Sequence, residues 1–281
     1  MEVEHIKKYL GKPYYQAPNC LIYCGDCTEL MPHLPSSMFD LTVTSPPYNI
    51  GKAYEQPLPL SDYVDWSIQW IQAVYRLTKS NGALWLNLGY TPQHPRAKAL
   101  PLPYLLWDRN PFYLIQEIVW HYGAGVAGRK FFSPRNEKFL WYVKNANDYI
   151  FNLDAVRDPD VKYPNQKKNG KLKVNPNGKN PSDVWQMKKV TSGQNRASEE
   201  RTSHPAQFPE EVIERIILAS SHTGYFVFDP FMGSGTTAIT ALRLNRPVIG
   251  IEIRTDYCDI IASRIDTFLR QPLQPSLFSE G

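Results

Sequence analysis

The stretch FDPFMGSGTTA, residues 228–238, closes an apolar run, turns through Gly233, Ser234 and Gly235, and opens into TTAITALRLN (236–245), whose apolar residues recur at helical spacing. It matches G-x-G-x-x-A between a predicted strand, YFVFDP (225–230), and a predicted helix, the context in which that fingerprint has physical meaning. Small residues at such a turn let the backbone approach a ligand closely. The next predicted strand, PVIGIEI (247–253), carries Glu252 near its end, where an acid accepts hydrogen bonds from ribose hydroxyls. A nucleoside-containing cofactor is therefore expected. The alternative, a glycine turn that serves only strand-to-helix packing, leaves Glu252 without a role. A P-loop is excluded because the Gly-Lys-Ser/Thr ending is absent.

Outward from this stretch the chain alternates between the two periodicities. CLIYCGD (20–26), FDLTVTSPPY (39–48), GALWLNLGY (82–90), LIQEIVWHY (114–122) and KFLWYVK (138–144) read as strands, and DYVDWSIQWIQAVYRL (62–77) as a helix. PEEVIERIILASS (209–221) and YCDIIASRIDTFLRQ (257–271) add helices on either side of the glycine turn. Strands separated by helices imply an α/β fold with a mostly parallel, doubly wound sheet. No internal repeat interrupts it.

With 281 residues, 42% hydrophobic and 21% charged, the chain has material for one large α/β domain with an inserted module, not for a disordered polymer. MEVEHIKKYL lacks the apolar core of a signal peptide, and no stretch approaches the ~20 apolar residues of a membrane span, so a cytoplasmic protein is expected. Four cysteines in a chain of this length make no disulfide scaffold. Cys20, Cys24 and Cys27 alternate faces of a short strand and lack a fourth ligand nearby, so no metal site is expected. The net charge of +4 is concentrated: between Val161 and Arg196 stand nine basic residues (Lys162, Lys167, Lys168, Lys171, Lys173, Lys179, Lys188, Lys189, Arg196) against one acid, Asp183. Rich in Asn, Gly and Pro and without period, this segment reads as an irregular or mobile insert, either a solvated loop or a surface for the phosphate backbone of nucleic acid. GAGVAGRKFF (123–132) lacks a following acid and helix and reads as a flexible loop over the nucleic acid or the cofactor, not as a second nucleotide site.

At the end of the second strand stands TSPPY (44–48). Two prolines remove two amide donors and stiffen the turn, so that carbonyl oxygens face a pocket and not a ladder. Ser45 Oγ and the Pro46 carbonyl are both acceptors, a pair suited to the two hydrogens of an exocyclic NH₂. Tyr48 offers a ring on which a base stacks. A nucleobase taken out of the duplex suits such a site.

Four segments resemble the β, or circularly permuted, class of DNA amino-methyltransferases: TSPPY its catalytic motif, DPFMGSGTT (229–237) and IEI (251–253) its S-adenosylmethionine motifs, and HPAQFPEEVIERII (204–217) the segment that precedes them. Gly25-Asp26 and NEKFLWYVK (136–144) are similar to two further motifs, and the order is the permuted one. The resemblance implies a class I S-adenosylmethionine-dependent methyltransferase fold, Rossmann-like, with S-adenosyl-L-methionine as cofactor and double-stranded DNA as partner. It implies that Ser45, Pro46, Pro47 and Tyr48 hold the target base. Asp229, Phe231, Gly233, Ser234, Gly235 and Thr236 would line the methionine end of the cofactor, with His204, Pro205 and Phe208 closing that side, Glu252 on the ribose and Asp26 near the adenine. For Asp26 and His204 the plain alternatives are a helix cap and a turn residue before proline. The implied division is a catalytic half (1–144), a basic target-recognition region (145–200) holding the nine cations named above, a cofactor-binding half (201–271) and a tail (272–281).

Serine at the head of SPPY is typical of cytosine-N4 enzymes, where many adenine-N6 enzymes carry Asp or Asn, so the resemblance implies N4 methylation of cytosine within a restriction-modification system, with adenine N6 as the alternative. Cytosine-C5 chemistry needs a thiolate, usually after a proline, and none of the four cysteines follows one. A catalytically silent DNA-binding protein and a nicotinamide oxidoreductase are the readings from other classes. A homodimer and a cognate endonuclease that is not a stable partner stay open; a membrane partner is not expected.

Overall fold

The computed structural model describes residues 3–52, 54–123, 125, 127–191 and 200–270. The strands of its main sheet are β1 (Tyr15–Ala17), β2 (Cys20–Cys24), β3 (Phe39–Thr44), β4 (Thr78–Leu88), β5 (Tyr113–His121), β6 (Asn136–Val143), β7 (Val184–Gln186), β8 (Val227–Asp229) and β9 (Val248–Glu252). They lie in the order β1-β2-β9-β8-β3-β4-β6-β5-β7. From β2 to β4 every pairing is parallel. β6 runs against both neighbours, β1 runs against β2, and β7 is parallel to β5. The sheet is thus parallel at its centre and mixed at its flanks, the α/β class that alternating strands and helices predict.

Helices cover both faces, as they must where a parallel sheet has two apolar sides to bury. Helix α1 (Leu60–Leu77) buries Tyr63, Val64, Trp70, Ile71, Val74 and Leu77, a stripe at helical spacing. It packs in one cluster with Leu21, Phe39, Leu84, Leu86, Phe228 and Ile249. The alternate strand residues, Ile22, Leu41, Val43, Trp85, Val227 and Val248, face the opposite side. There they meet α2 (Glu210–Ser220), α3 (Thr236–Arg243) and α4 (Thr255–Arg270). No helix among the described residues is long and apolar enough to cross a membrane.

The segment 161–196 is not irregular throughout, and that expectation is corrected at two places. Lys167–Lys168 pairs with Lys171–Leu172 as a hairpin. Its turn residues, Asn169 and Gly170, take φ of 51° and 79°, the left-handed geometry of a two-residue hairpin turn. Further on, Val184–Gln186 joins the sheet beside Val119–His121 and buries Trp185. Trp185 stacks on Trp85 at 5.7 Å, and Trp85 on Trp141 at 5.2 Å, so three strands are tied by one aromatic column. Such pairs contribute about 0.5–1.5 kcal/mol each beyond their buried area. The tail 272–281 and Arg196 lie outside the described residues.

Candidate functional site

In an open parallel sheet, ligands bind beyond the carboxyl ends of the strands. Here those ends converge on one cavity of about 510 Å³. β2 delivers Gly25 and Asp26, β9 ends in Glu252, β8 leads from Asp229 to Gly233, and β3 runs into Ser45, Pro46, Pro47 and Tyr48. β8 and β3 are parallel neighbours, which is what sets DPFMGSG beside SPPY although some 180 residues separate them. Asn87 near the end of β4, Trp120 near the end of β5 and Glu137 at the head of the oppositely directed β6 complete the wall.

Ser45 Oγ donates to Tyr48 Oη at 3.1 Å and lies 3.4 Å from Asn87 Oδ1. Tyr48 Oη has one proton, shared between Asn87 Oδ1 and, at 3.2 Å, Glu137 Oε2. Burial first, and then the Glu137 carboxylate, raise the Tyr48 phenol well above its ordinary pKa, so it stays a donor. With the serine proton directed to Tyr48, the Oγ lone pairs point elsewhere. Tyr63 Oη occupies the Pro47 carbonyl at 2.8 Å; among the described residues no donor takes the Pro46 carbonyl. Tyr48 therefore does more than offer a face for stacking. Its ring lies against Gly89, where a Cβ would come within 2.7 Å of it.

At the other end, Glu252 is buried, and burial raises its pKa although backbone amides oppose the rise. Oε2 accepts from Gly233 N at 2.8 Å and Oε1 from Arg254 N at 3.0 Å, which fixes the carboxylate and leaves acceptor capacity for a ligand. Asp229 accepts from Thr44 Oγ1 and Thr237 Oγ1, both at 2.7 Å, and from Phe231 N at 3.0 Å. His204 sits between Tyr54 and Tyr257, with ring centroids at 5.7 and 4.5 Å. Burial depresses its pKa to about 4, so the imidazole is neutral. Its ring rests on Gly233, whose missing Cβ would stand 3.2 Å away. Asp26 caps the short helix Cys27–Leu30, Oδ1 accepting from Thr28 N at 2.8 Å, and lines the cavity as well.

The cavity thus gathers Asp26, Ser45, Pro46, Pro47, Tyr48, His204, Pro205, Phe208, Asp229, Phe231, Gly233, Ser234, Thr236 and Glu252. Gly235 stands apart from them. It is the left-handed N-cap of α3, and its absent Cβ faces Ile261, not the cavity. Of the cations, Lys162, Lys167, Lys168, Lys171, Lys173, Lys179 and Lys188 are exposed, Lys179 beside Asp158 at 3.1 Å. Lys189 departs from that surface: it lines the cavity, bonded to Glu137 at 2.7 Å. Sequence reasoning missed Asn87, Glu137 and Tyr54. The signal for the first was a lone amide within the apolar run GALWLNL, since a buried polar residue is the informative exception in such a strand.

Comparison with known proteins adds the following. A family model described as DNA methylase matches residues 39–263. The type II methyltransferase M.ScaI of Streptomyces caespitosus is 61% identical over 261 residues, covering 93% of this chain and 86% of that protein. The DNA adenine methyltransferase YhdJ of Escherichia coli (strain K12) is 32% identical over 251 residues, covering 86% of this chain and 81% of it. Among solved structures, the PvuII DNA methyltransferase (cytosine-N4-specific) superposes with a TM-score of 0.68 at 21% identity, over 94% of this chain and 91% of that one.

Proposed function

This chain belongs to the N6/N4 DNA methylase family, and from that premise we propose that it transfers a methyl group from S-adenosylmethionine to the exocyclic N4 amine of a cytosine extruded from duplex DNA, as the modifying half of a type II restriction-modification system. The observation that carries the reading is the uncharged acceptor pair: Ser45 Oγ, its own proton given to Tyr48, and the Pro46 carbonyl, which no described residue occupies. Two such acceptors match the two hydrogens of an NH₂ and draw its nitrogen toward pyramidal, nucleophilic geometry. Neither is a strong base, so the amine's proton leaves after the transfer.

The far end of the cavity fits the cofactor. Glu252 is held by backbone amides with acceptor capacity to spare, which suits a ribose diol, and Gly233 brings the backbone to the ligand without a side chain. Asp26 would take the adenine, while His204, Pro205, Phe208, Asp229 and Phe231 would enclose the methionine end with a neutral imidazole that does not repel a sulfonium. When bound, the cofactor supplies an electrophilic methyl group. The protein's part is to orient the amine, shield it from water and align it with that methyl. The region 145–200, with its exposed lysines, would face the duplex and contain the determinants of sequence choice.

Adenine N6 is the second reading, favoured by the 32% identity to the adenine enzyme YhdJ. Serine at the head of SPPY favours cytosine. Expressing the protein in a host without its own methylases, digesting the DNA to nucleosides and identifying the modified one by mass spectrometry decides between them. N4-methylcytosine is expected, N6-methyladenine would reverse the target, and 5-methylcytosine or no modification would defeat the mechanism. Sequencing the same DNA for modified positions gives the recognition site.

A further inference from the structure

Lys189 comes from the basic segment yet turns away from its surface. Its Nζ lies 2.7 Å from Glu137 Oε1 and 3.7 Å from the centre of the Tyr122 ring, and its side chain keeps 21% of its surface against 16% for Glu137. The same carboxylate receives Tyr48 Oη at 3.2 Å and Tyr122 Oη at 3.3 Å. One carboxylate therefore links the tyrosine of SPPY to the ammonium. An ion pair taken this far from water adds little to stability, because desolvation offsets the Coulombic gain, and two apolar side chains would hold the fold as well. What apolar side chains cannot do is offer N–H groups to a ligand. Lysine has three. Glu137 is the one hydrogen-bond acceptor of Lys189 among the described residues and the Tyr122 ring faces a second N–H, which leaves one donor at the wall of the cavity.

Resting on the proposed amine methylation, we infer that Lys189 reads the target base by donating a hydrogen bond to the ring nitrogen next to the exocyclic amine, with Glu137 as the positioning residue that aims it. A base whose amine is gripped by Ser45 and Pro46 next presents that nitrogen, N3 in cytosine or N1 in adenine, with a lone pair that has lost its partner in the duplex. Acceptors cannot satisfy it. Lys52, the other lysine lining the cavity, is exposed at residue 52 of the loop that follows SPPY, whereas Lys189 is held inward beside Tyr48 through Glu137. The pair thus separates two tasks: Ser45 and Pro46 recognise an amine, Lys189 recognises the ring that bears it.

The test is a cycle between protein and base. Wild type and Lys189→Met are assayed in single turnover on duplexes carrying either the natural target base or its deaza analogue lacking that ring nitrogen (3-deazacytosine or 1-deazaadenine, according to the base found modified). Glu137→Gln/Lys189→Met, a neutral pair of similar shape, repeats the comparison without leaving a carboxylate unpaired. The analogue should slow wild type at least tenfold, and both variants should be slow on the natural base yet nearly indifferent to the analogue. Equal analogue penalties in wild type and in both variants would overturn the inference while leaving the methylation intact. Wild type that methylates neither duplex would instead overturn the function on which the inference rests.

Discussion

Gly233 and Gly235 stand two residues apart in one turn, yet a methyl group added at each meets different partners. At Gly233 it would press on His204 at the cavity, and at Gly235 on Ile261 of α4. Both have positive φ, 55° and 79°, where a Cβ costs roughly 1–2 kcal/mol. Gly235→Ala should therefore lower the melting temperature with cofactor affinity of the folded fraction nearly unchanged, and Gly233→Ala should also weaken the cofactor severalfold; calorimetry and thermal melts separate the two. At Ser45 the expectation is kinetic. Ser45→Ala removes one acceptor of the pair and should reduce the single-turnover rate tenfold or more while cofactor affinity stays within a factor of two or so. Asp229 adds a dependence on pH. Burial lifts its pKa to about 7, against three hydrogen bonds that favour the charged form, whereas an unfolded aspartate ionises near 3.9. Between those values the folded chain keeps a proton that the unfolded chain has released. The stability this group contributes is complete below about pH 4 and is lost as pH rises toward 7, at no more than about 1.4 kcal/mol per pH unit. Asp229→Asn cannot titrate, so its melting temperature should gain on that of wild type across this window.

The hairpin Lys167–Lys168 and Lys171–Leu172 brings Lys167, Lys168 and Lys171 together at a tight turn, with Lys173 just beyond. If it follows a DNA backbone, replacing those four lysines with alanine should reduce the slope of log affinity against log salt by roughly 0.9 per lost contact, read from binding titrations at several salt concentrations. An unchanged slope would make the hairpin a solvated loop. The same elements show where sequence stops being legible. β3, α1 and α3 announce themselves because each repeats its period, and β4 and β9 because each holds a continuous apolar run. Val184–Gln186 has a single alternation around Trp185, too short to stand out from loop, and it owes its existence to β5 alongside and to the column of tryptophans. Asn169-Gly170 was a hairpin signal hidden among other asparagines and glycines. SPPY and the glycine turn were legible because they are contiguous; Asn87, Glu137 and the place of Lys189 in the cavity, away from the basic surface where the sequence put it, were not, because only the folded sheet brings three distant side chains to Tyr48 and its surroundings.

Across the whole molecule, the cavity draws on every strand from β2 to β6 together with β8 and β9, and no single stretch of chain contains it. The centre of the sheet joins early to late: β3 pairs with β8 and β2 with β9, across more than half of the sequence. A chain stopped after β7 would leave β2 and β3 with unmatched parallel edges, and it should lack a cooperative thermal transition; a melt monitored by circular dichroism checks this. The same pairing acts during synthesis. At ~5–20 residues per second the ribosome needs tens of seconds to make the residues between β2 and β9, and throughout that time β2 and β3 await partners that do not yet exist. Until β9 leaves the exit tunnel, a nascent chain therefore keeps apolar edges open to chaperones and to its own kind, and lacks one wall of its cavity.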